Sequence, residues 1–421
     1  MTQPVRDYPR IQSLDFLRGI AILGILIINI ESFAFTNPWS HYQYGFESSA
    51  DVTTRFWVYF LAQGKFWGLL SVLFGIGFYI FLERLDNKGL GLKAADIFAR
   101  RLLWLFVIGV IHAYLIWDGD ILYHYAICGF VLFAFRSFSI KQLALLLLLP
   151  LSLFLFQSYE RTSSTQEKYQ NYLALKSTDS ANLTNEQENK IDRWERRYSE
   201  KPHTAIKKPS TRETYWQSVQ ENAENTKVDR GEVFYRSIFF RTLMLMVVGI
   251  ILYRLGIFSD YRNVRYYWPL TLSFLLFALM INYQRYYHWT YTNHQPVVDV
   301  LRGWMYLFPR ELLAIGYVLV LNGLYQLILK GRVKLIENVG KMALTNYILQ
   351  SVVCGLIFYG YGMNYFNQLT RSELLPIVAA LWLVTILYSA LWLARFKMGP
   401  LESLWRKLTY AGIESSSNVT R

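Results

Sequence analysis

The stretch RIQSLDFLRGIAILGILIINI, residues 10–30, decides the fold class of this 421-residue chain. Apolar residues fill most of it, and about twenty such residues in a helix cross the ~30 Å hydrocarbon layer of a membrane. Asp15 and Arg18 interrupt the run, and no small-residue cleavage site follows it. We therefore interpret the stretch as an uncleaved first membrane helix rather than as a signal peptide.

Similar apolar runs recur along the rest of the chain. Apolar residues make up 53% of the sequence, charged residues only 17%, and the mean hydropathy is +0.19. Aromatic residues reach 17%, which is typical of proteins whose helix ends lie at lipid headgroups. We predict an all-α, polytopic integral membrane protein. Its ten or so transmembrane helices are expected at roughly 15–36, 56–82, 99–117, 121–136, 140–157, 234–256, 266–284, 306–329, 343–364 and 374–395.

The basic residues between these runs predict the orientation. With the N-terminus in the cytoplasm, the inner segments hold 21 Lys and Arg residues, and the short outer segments hold four. This asymmetry follows the positive-inside rule. We therefore predict a multi-pass protein of the bacterial cytoplasmic (inner) membrane with both termini cytoplasmic. The net charge of +13 then reflects membrane orientation, and we expect no nucleic-acid partner.

One long polar region separates the apolar runs into two halves. Residues 158–233 hold 13 basic and 13 acidic residues and so add no net charge. We predict an extracytoplasmic insert there, with a short amphipathic helix at 191–198 and no site. It would lie between membrane halves of about five helices each, and a cytoplasmic tail would follow. The predicted boundaries are 1–157, 158–233, 234–398 and 399–421.

A polar stripe runs along the first predicted helix. Ionisable groups inside a membrane span are costly, and each is therefore a candidate for function. Asp15 and Arg18 are three residues apart on one face, and Asn29 follows Arg18 by eleven residues, about 16 Å along the helix. Two interpretations stay open. The stripe binds substrate, or Asp15 and Arg18 pair at the cytoplasmic interface while Asn29 bonds a neighbouring helix.

The third predicted helix repeats the spacing, because Arg101 and His112 are also eleven residues apart. A histidine held by a carboxylate is a good general base, and Asp118 and Asp120 follow within one short turn. His112 is therefore our catalytic candidate, oriented by Asp118 or Asp120. As alternatives, His112 is a neutral core histidine and the two aspartates cap the next helix. His124 lies within a turn of Asp120.

Several other chemistries lack a sequence basis. There is no glycine-rich phosphate loop, no Gly-x-Ser-x-Gly and no Ser-x-x-Lys motif, so covalent catalysis by serine is unsupported. Cys128 and Cys354 both lie in apolar runs, which argues against a disulfide framework. We expect no metal site and no tightly bound cofactor. Asn346 and Gln350 share one helix face, where hydrogen bonding between helices is the simplest role.

Five motifs together resemble the YeiB-like family, the bacterial domain of unknown function 418. They are RIQSLDFLRGIAILGILIINI, GKFWGLLSVLFGIGF, GVIHAYLIWDGDILYHYA, GKMALTNYILQS and GPLESLWRKLTY. The resemblance covers nearly the whole chain except the insert, which looks enlarged. The family in turn resembles the membrane acyltransferases, which include the acyltransferase-three enzymes and the heparan-glucosaminide acetyltransferases.

This second resemblance implies a reaction and a set of substrates. It implies acyl-CoA as a cytoplasmic co-substrate and an outer or lipid-linked saccharide as the acceptor. In acyltransferase-three proteins the first helix carries an arginine, then ten intervening residues, then a histidine needed for transfer. The matching positions here are Arg18 and Asn29, and the heparan acetyltransferases also resemble this chain in having asparagine there. The implied base is then His112, with His41 in the first outer loop as a second choice.

The leading hypothesis is an acyltransferase-like protein of the inner membrane. Arg18 and Arg101 would hold the donor phosphates, and His112 would deprotonate the acceptor. The other predicted substrate-binding residues are Asp15, Asn29, His41, His124 and Asn346. A transporter or flippase without covalent chemistry is the main alternative, and a scaffold that binds a partner through the insert is the third. A homodimer is left open.

Overall fold

The computed structural model describes residues 10–36, 38, 48–179, 183–198, 212–229, 238–292 and 294–411. All regular secondary structure in these ranges is helical, which confirms the predicted all-α class. The helices are α1 Gln12–Ala34, α2 Ser49–Leu61, α3 Lys65–Asp86, α4 Leu92–Leu115, α5 Leu122–Phe133, α6 Ile140–Lys176, α7 Asn185–Tyr198, α8 Tyr215–Asp229, α9 Phe239–Arg254, α10 Tyr267–Tyr291, α11 Val300–Met305, α12 Pro309–Leu324, α13 Lys334–Lys341, α14 Ala343–Phe358, α15 Leu374–Arg395 and α16 Pro400–Tyr410. A π-helical turn, Tyr325–Leu329, extends α12.

The first helix lies at the centre of the bundle. Helices α3, α12, α13, α14 and α15 all pack against α1, and most of its residues are buried. Its packing against α13 is close. A Cβ atom on Gly19 would stand 2.1 Å from the Ile336 carbonyl oxygen, and one on Gly340 would stand 1.8 Å from the Asp15 carbonyl oxygen. Only glycine allows the two backbones to approach this far.

Small residues also hold α3 against α9. A Cβ atom on Gly75 would stand 2.1 Å from the Met246 carbonyl oxygen, and one on Gly249 would stand 2.2 Å from the Val72 carbonyl oxygen. Membrane helices often associate through such small residues, because lipid supplies no hydrophobic force to drive them together. The glycines of the second apolar run therefore determine which helix packs beside α3.

The longest helix, α6, has 37 residues and crosses the predicted boundary between the membrane half and the insert. At 1.5 Å per residue it is about 55 Å long, well beyond the ~30 Å hydrocarbon layer. The helix continues past position 157 because the polar residues that follow, such as Glu160 and Gln166, are compatible with helix. A fall in hydropathy marks where lipid contact ends, but it does not mark the end of a helix.

Each of the ten predicted spans overlaps a helix, although the number of membrane crossings stays a prediction. Within the described ranges, five helical segments are long and apolar enough to cross a membrane. They are Gln12–Ala34, Ser49–Asp86, Ile140–Lys176, Pro309–Leu329 and Leu374–Arg395. The pair α13 and α14, bent by 81°, would be a sixth. The cytoplasmic placement of both termini is likewise a prediction.

Candidate functional site

A cavity of about 590 Å³ lies inside the bundle. Its walls come from α1, α3, α4, α5, α13, α14 and α16. Much of the lining is apolar, including Leu70, Phe74 and Leu105. The basic lining residues are Arg10, Arg18, Arg84, Arg101 and Lys341, and the acidic ones are Asp15 and Glu402. The cavity therefore combines an apolar interior with an excess of positive charge.

We name as the mouth the part of the cavity lined by Asp15 and by Arg10, Arg18, Arg84 and Arg101. Asp15 holds two of these arginines. Arg10 donates to its carboxylate at 2.5 and 3.0 Å, and Arg18 donates to it at 3.1 Å. The Arg10 side chain is 54% exposed, whereas the Asp15 side chain is fully buried. The two earlier interpretations of Asp15 and Arg18 are thus compatible, because the residues pair and also line the cavity.

Arg101 lines the same cavity and is held by the C-terminal helix. Its guanidinium carbon lies 3.8 Å from the ring centre of Trp405 and 4.7 Å from that of Phe81. The indole nitrogen of Trp405 also donates to the Arg101 carbonyl oxygen at 2.8 Å. The neighbouring Arg100 pairs instead with Asp96 outside the cavity lining, at 2.9 Å. Adjacent arginines therefore have different surroundings.

His112 and Asp120 form a buried pair one side chain behind the cavity wall. The His112 Nδ1 atom lies 2.8 Å from an Asp120 carboxylate oxygen. The other Asp120 oxygen accepts the N–H groups of Leu122 and Tyr123, which caps α5. In the described part of the chain, His112 Nε2 has no hydrogen-bond partner. Asp120 thus orients the imidazole and leaves its second nitrogen available for proton exchange.

Two aromatic rings flank the imidazole of His112. Tyr347, which lines the cavity, has its ring centre 5.1 Å from that of His112. The Trp117 ring centre lies 6.3 Å from it, toward the end of α4. His112 itself is not among the cavity-lining residues. The arrangement places an acid–base pair directly behind Tyr347.

Asp118 points to the insert rather than to His112. Asn225 of α8 donates to its carboxylate at 2.5 Å, and an Arg212 nitrogen lies 3.6 Å from the same oxygen. Of the two aspartates that could orient His112, the structure assigns this contact to Asp120. Asp118 instead ties the insert to the end of α4.

The other predicted site residues lie apart from the cavity. Asn29 is half-buried in α1, and His124 is nearly buried with its ring against Tyr123. The Asn346 amide nitrogen donates to the Val339 carbonyl oxygen at 3.0 Å and to the Ser389 hydroxyl at 2.9 Å. Asn346 therefore forms hydrogen bonds between helices. His41 lies outside the described residues.

Three further residues line the cavity that the sequence did not predict as site residues, and they are Tyr347, Trp405 and Glu402. Glu402 accepts the N–H groups of Leu344 and Thr345 at 2.8 and 3.1 Å, and so caps α14. The predicted cytoplasmic tail, 399–421, contains Trp405 and Glu402. The available signal was the alternation of apolar and charged residues in GPLESLWRKLTY, which is typical of a helix that packs on one face.

The fold and the cavity define a helical membrane protein with a basic, amphipathic cavity inside its bundle. The chain belongs to the YeiB-like family of domain of unknown function 418. The family model described as "Protein of unknown function (DUF418)" matches residues 252–412.

Similar proteins cover the whole chain. YxaH of Bacillus subtilis, strain 168, is 30% identical over 453 aligned positions, which include 100% of this chain and 99% of that protein. YeiB of Escherichia coli, strain K12, is 30% identical over 423 positions, covering 94% of this chain and 95% of that protein. Both are described as uncharacterized proteins. No solved structure matches this chain.

Proposed function

We propose that this protein is an acyltransferase of the bacterial inner membrane, which crosses the bilayer about ten times with both termini cytoplasmic. The donor is a cytoplasmic acyl-CoA, and the acceptor is an outer or lipid-linked saccharide. The observation that carries the proposal is the His112–Asp120 pair behind the wall of a cavity with a cationic mouth. General bases of this kind contribute typically 10²–10⁴-fold to a rate.

The donor would lie with its phosphates at the mouth. Arginine guanidinium groups bind phosphate oxygens through paired hydrogen bonds, and Arg18 and Arg101 are both in the lining. The pantetheine and acyl parts would extend along the apolar wall formed by residues such as Leu70 and Phe74. This placement would bring the thioester toward Tyr347, which also lines the cavity.

In the transfer step, the acceptor oxygen attacks the thioester carbonyl carbon. A carbon–oxygen bond forms and the carbon–sulfur bond breaks. His112 Nε2 takes the proton from the acceptor hydroxyl and passes it to the departing thiolate, which leaves as free coenzyme A. Because Tyr347 lines the cavity and packs against His112, which does not, the mechanism requires the Tyr347 side chain to rotate when the acceptor binds.

The test needs the acceptor first. Mass spectrometry of lipids and glycans from a deletion strain should reveal a species that has lost an acetyl or succinyl mass. The purified protein should then transfer a labelled acyl group to that species, and His112→Ala should lower the rate at least 100-fold. His288→Ala is the matched control, because His288 is half-buried and outside the cavity lining. Transfer by His112→Ala at the wild-type rate would refute the proposal.

A transporter is the second candidate, and one observation favours it. The Tyr347, His112 and Trp117 rings lie in succession between the cavity and the end of α4, which is also how a gate would separate two access routes. Reconstitution into liposomes distinguishes the two functions. Flux of the acceptor across the membrane without any acyl donor would support transport, and a strict need for acyl-CoA would support transfer.

A further inference from the structure

A second group of cations lies at the other end of α3 from the cavity mouth. Lys65 begins α3, and Arg84 at the mouth follows nineteen residues later, about 28 Å along the axis. That distance is close to the thickness of the hydrocarbon layer. We use the name far cluster for Lys65, Arg285 and Arg310.

The Lys65 side chain is completely buried. Its ammonium nitrogen donates to the Tyr59 carbonyl oxygen at 2.7 Å and lies 3.9 Å from the Tyr286 ring centre. Within the ranges that the structure describes, no carboxylate oxygen lies within 4.0 Å of it. A carbonyl dipole and an aromatic face stabilise an ammonium only in part, so its burial is costly unless an anion is near.

The two arginines are placed beside Lys65 by their chain neighbours. The Arg310 side chain packs on Gly64, where a Cβ atom would stand 2.5 Å from Cδ of Arg310. Arg285 immediately precedes Tyr286, and its guanidinium donates to the Tyr306 carbonyl oxygen at 3.0 Å. The charges of both arginines, and that of Glu311, reach Lys65. Three cations from α3, α10 and α12 therefore converge at one level of the bundle.

The nearby carboxylate does not neutralise this group. Glu311 pairs with Arg241 at 2.6 Å, and that pair is already neutral as a unit. The Arg310 guanidinium has neither a hydrogen-bond acceptor nor an ion-pair partner in the described part of the chain. No carboxylate oxygen in the described part of the chain forms an ion pair with any of the three side chains, and like charges repel strongly where the effective dielectric constant is low.

We propose that the far cluster is a binding site for a phosphate-bearing anion. Two guanidinium forks and one ammonium are the groups that bind phosphate oxygens in proteins, and an anion would offset the repulsion among them. The phosphate could belong to a lipid headgroup or be free in solution. The site does not depend on acyl transfer, because it is separate from the cavity and needs no donor.

The test measures binding by calorimetry with the purified full-length chain in a neutral detergent. The probes are inorganic phosphate and the soluble lipid dihexanoyl phosphatidylglycerol. Arg310→Gln should weaken binding of at least one probe by about tenfold or more, the usual effect of losing a hydrogen bond to a charged group. Arg302→Gln is the matched control, because Arg302 is an exposed arginine on the neighbouring α11. The affinity of this variant for the probes should stay within twofold of the wild-type value.

The cavity mouth could also attract these probes, so the titrations are repeated with Arg101→Gln. Binding to the far cluster should persist in Arg101→Gln and fall in Arg310→Gln. Binding of the lipid but not of free phosphate would identify a headgroup site, and the reverse would identify a free anion.

Arg310→Lys, which keeps the charge, should retain part of the affinity. This variant therefore distinguishes loss of the binding site from a folding defect. The proposal is overturned if neither probe shows saturable binding to the wild-type protein. It is also overturned if Arg310→Gln and Arg302→Gln bind the probes with the same affinity. The assay contains no acyl donor, so its failure is distinguishable from failure of the proposed transfer.

Discussion

At the scale of single residues, the two oxygens of Asp120 have separate tasks. One bonds Nδ1 of His112, and the other accepts two N–H groups at the start of α5. The carboxylate can stabilise a positive charge on the imidazole, and this charge develops only when His112 accepts a proton. The capping role belongs to the fold, whereas the bond to His112 is what the proposed reaction needs.

Replacing Asp120 with asparagine should separate these two tasks. An asparagine oxygen can still cap α5, but the amide N–H donates to Nδ1 and so leaves the proton on Nε2, which can no longer act as a base. We expect Asp120→Asn to lower acyl transfer by about 10²–10⁴-fold. The fold should be retained, as measured by the thermal unfolding midpoint. Full activity in this variant would show that His112 does not work as a base.

Arg101 and Arg100 provide a matched pair for the donor site. Arg101→Gln and Arg100→Gln each remove one positive charge from α4. Arg101 lines the cavity, whereas Arg100 lies outside the cavity lining. We expect Arg101→Gln to weaken acyl-CoA binding about tenfold or more, since it removes a charge-assisted contact to phosphate. Arg100→Gln should change it less than twofold. Equal losses in equilibrium binding would point to a general effect of charge.

At the scale of helices, α16 connects the C-terminal part of the chain to the cavity. Glu402 caps α14, and Trp405 packs against Arg101 and hydrogen-bonds its backbone on α4. This short helix is therefore a part of the cavity wall rather than a tail. Its contacts place the start of α14, and with it Tyr347, relative to α4.

The cap that Glu402 provides to α14 should contribute measurably to the free energy of unfolding. Glu402→Ala leaves the N–H groups of Leu344 and Thr345 without their acceptor, and loss of such a cap costs about 1 to 2 kcal/mol. We expect a lower unfolding midpoint in a thermal melt of the purified protein. Asp96→Ala is the control, because it removes a carboxylate from an exposed ion pair, which contributes little. Similar shifts for both variants would contradict the capping role.

Sequence patterns predicted the positions of the helices better than they predicted the contacts between helices. Each of the ten apolar runs overlaps a helix, because burial in lipid or in a bundle demands the same continuous apolarity. Of the residues that share the eleven-residue spacing, Arg18 and Arg101 line the cavity, whereas Asn29 and His112 do not. Spacing shows which residues share a helix face, and it does not show which neighbour covers each level of that face. Tyr347 and Trp405 were missed for the same reason.

At the scale of the whole molecule, the insert and the cavity mouth lie at opposite ends of α4. Arg101 is at the mouth, whereas the α8 residue Asn222 hydrogen-bonds the Tyr114 carbonyl oxygen near the other end. Arg212, just before α8, also bonds Asn222, at 2.8 Å, and is largely buried. If the basic segments near the mouth face the cytoplasm, the insert covers the bundle from outside and lies over the His112 end.

Cysteine labelling in cells tests this orientation. Lys190→Cys places a thiol on exposed α7 of the insert, and Lys93→Cys places one on the exposed start of α4 at the mouth end. The native Cys128 and Cys354 are fully buried, so they should contribute little background. A membrane-impermeant maleimide should label Lys190→Cys in spheroplasts, and it should label Lys93→Cys only after the membrane is permeabilised. Labelling of both positions in intact spheroplasts would place the insert and the start of α4 on one side of the membrane. The predicted topology and the route from a cytoplasmic donor to an outer acceptor would then both be wrong, because that route requires the cavity mouth and the insert to face different compartments.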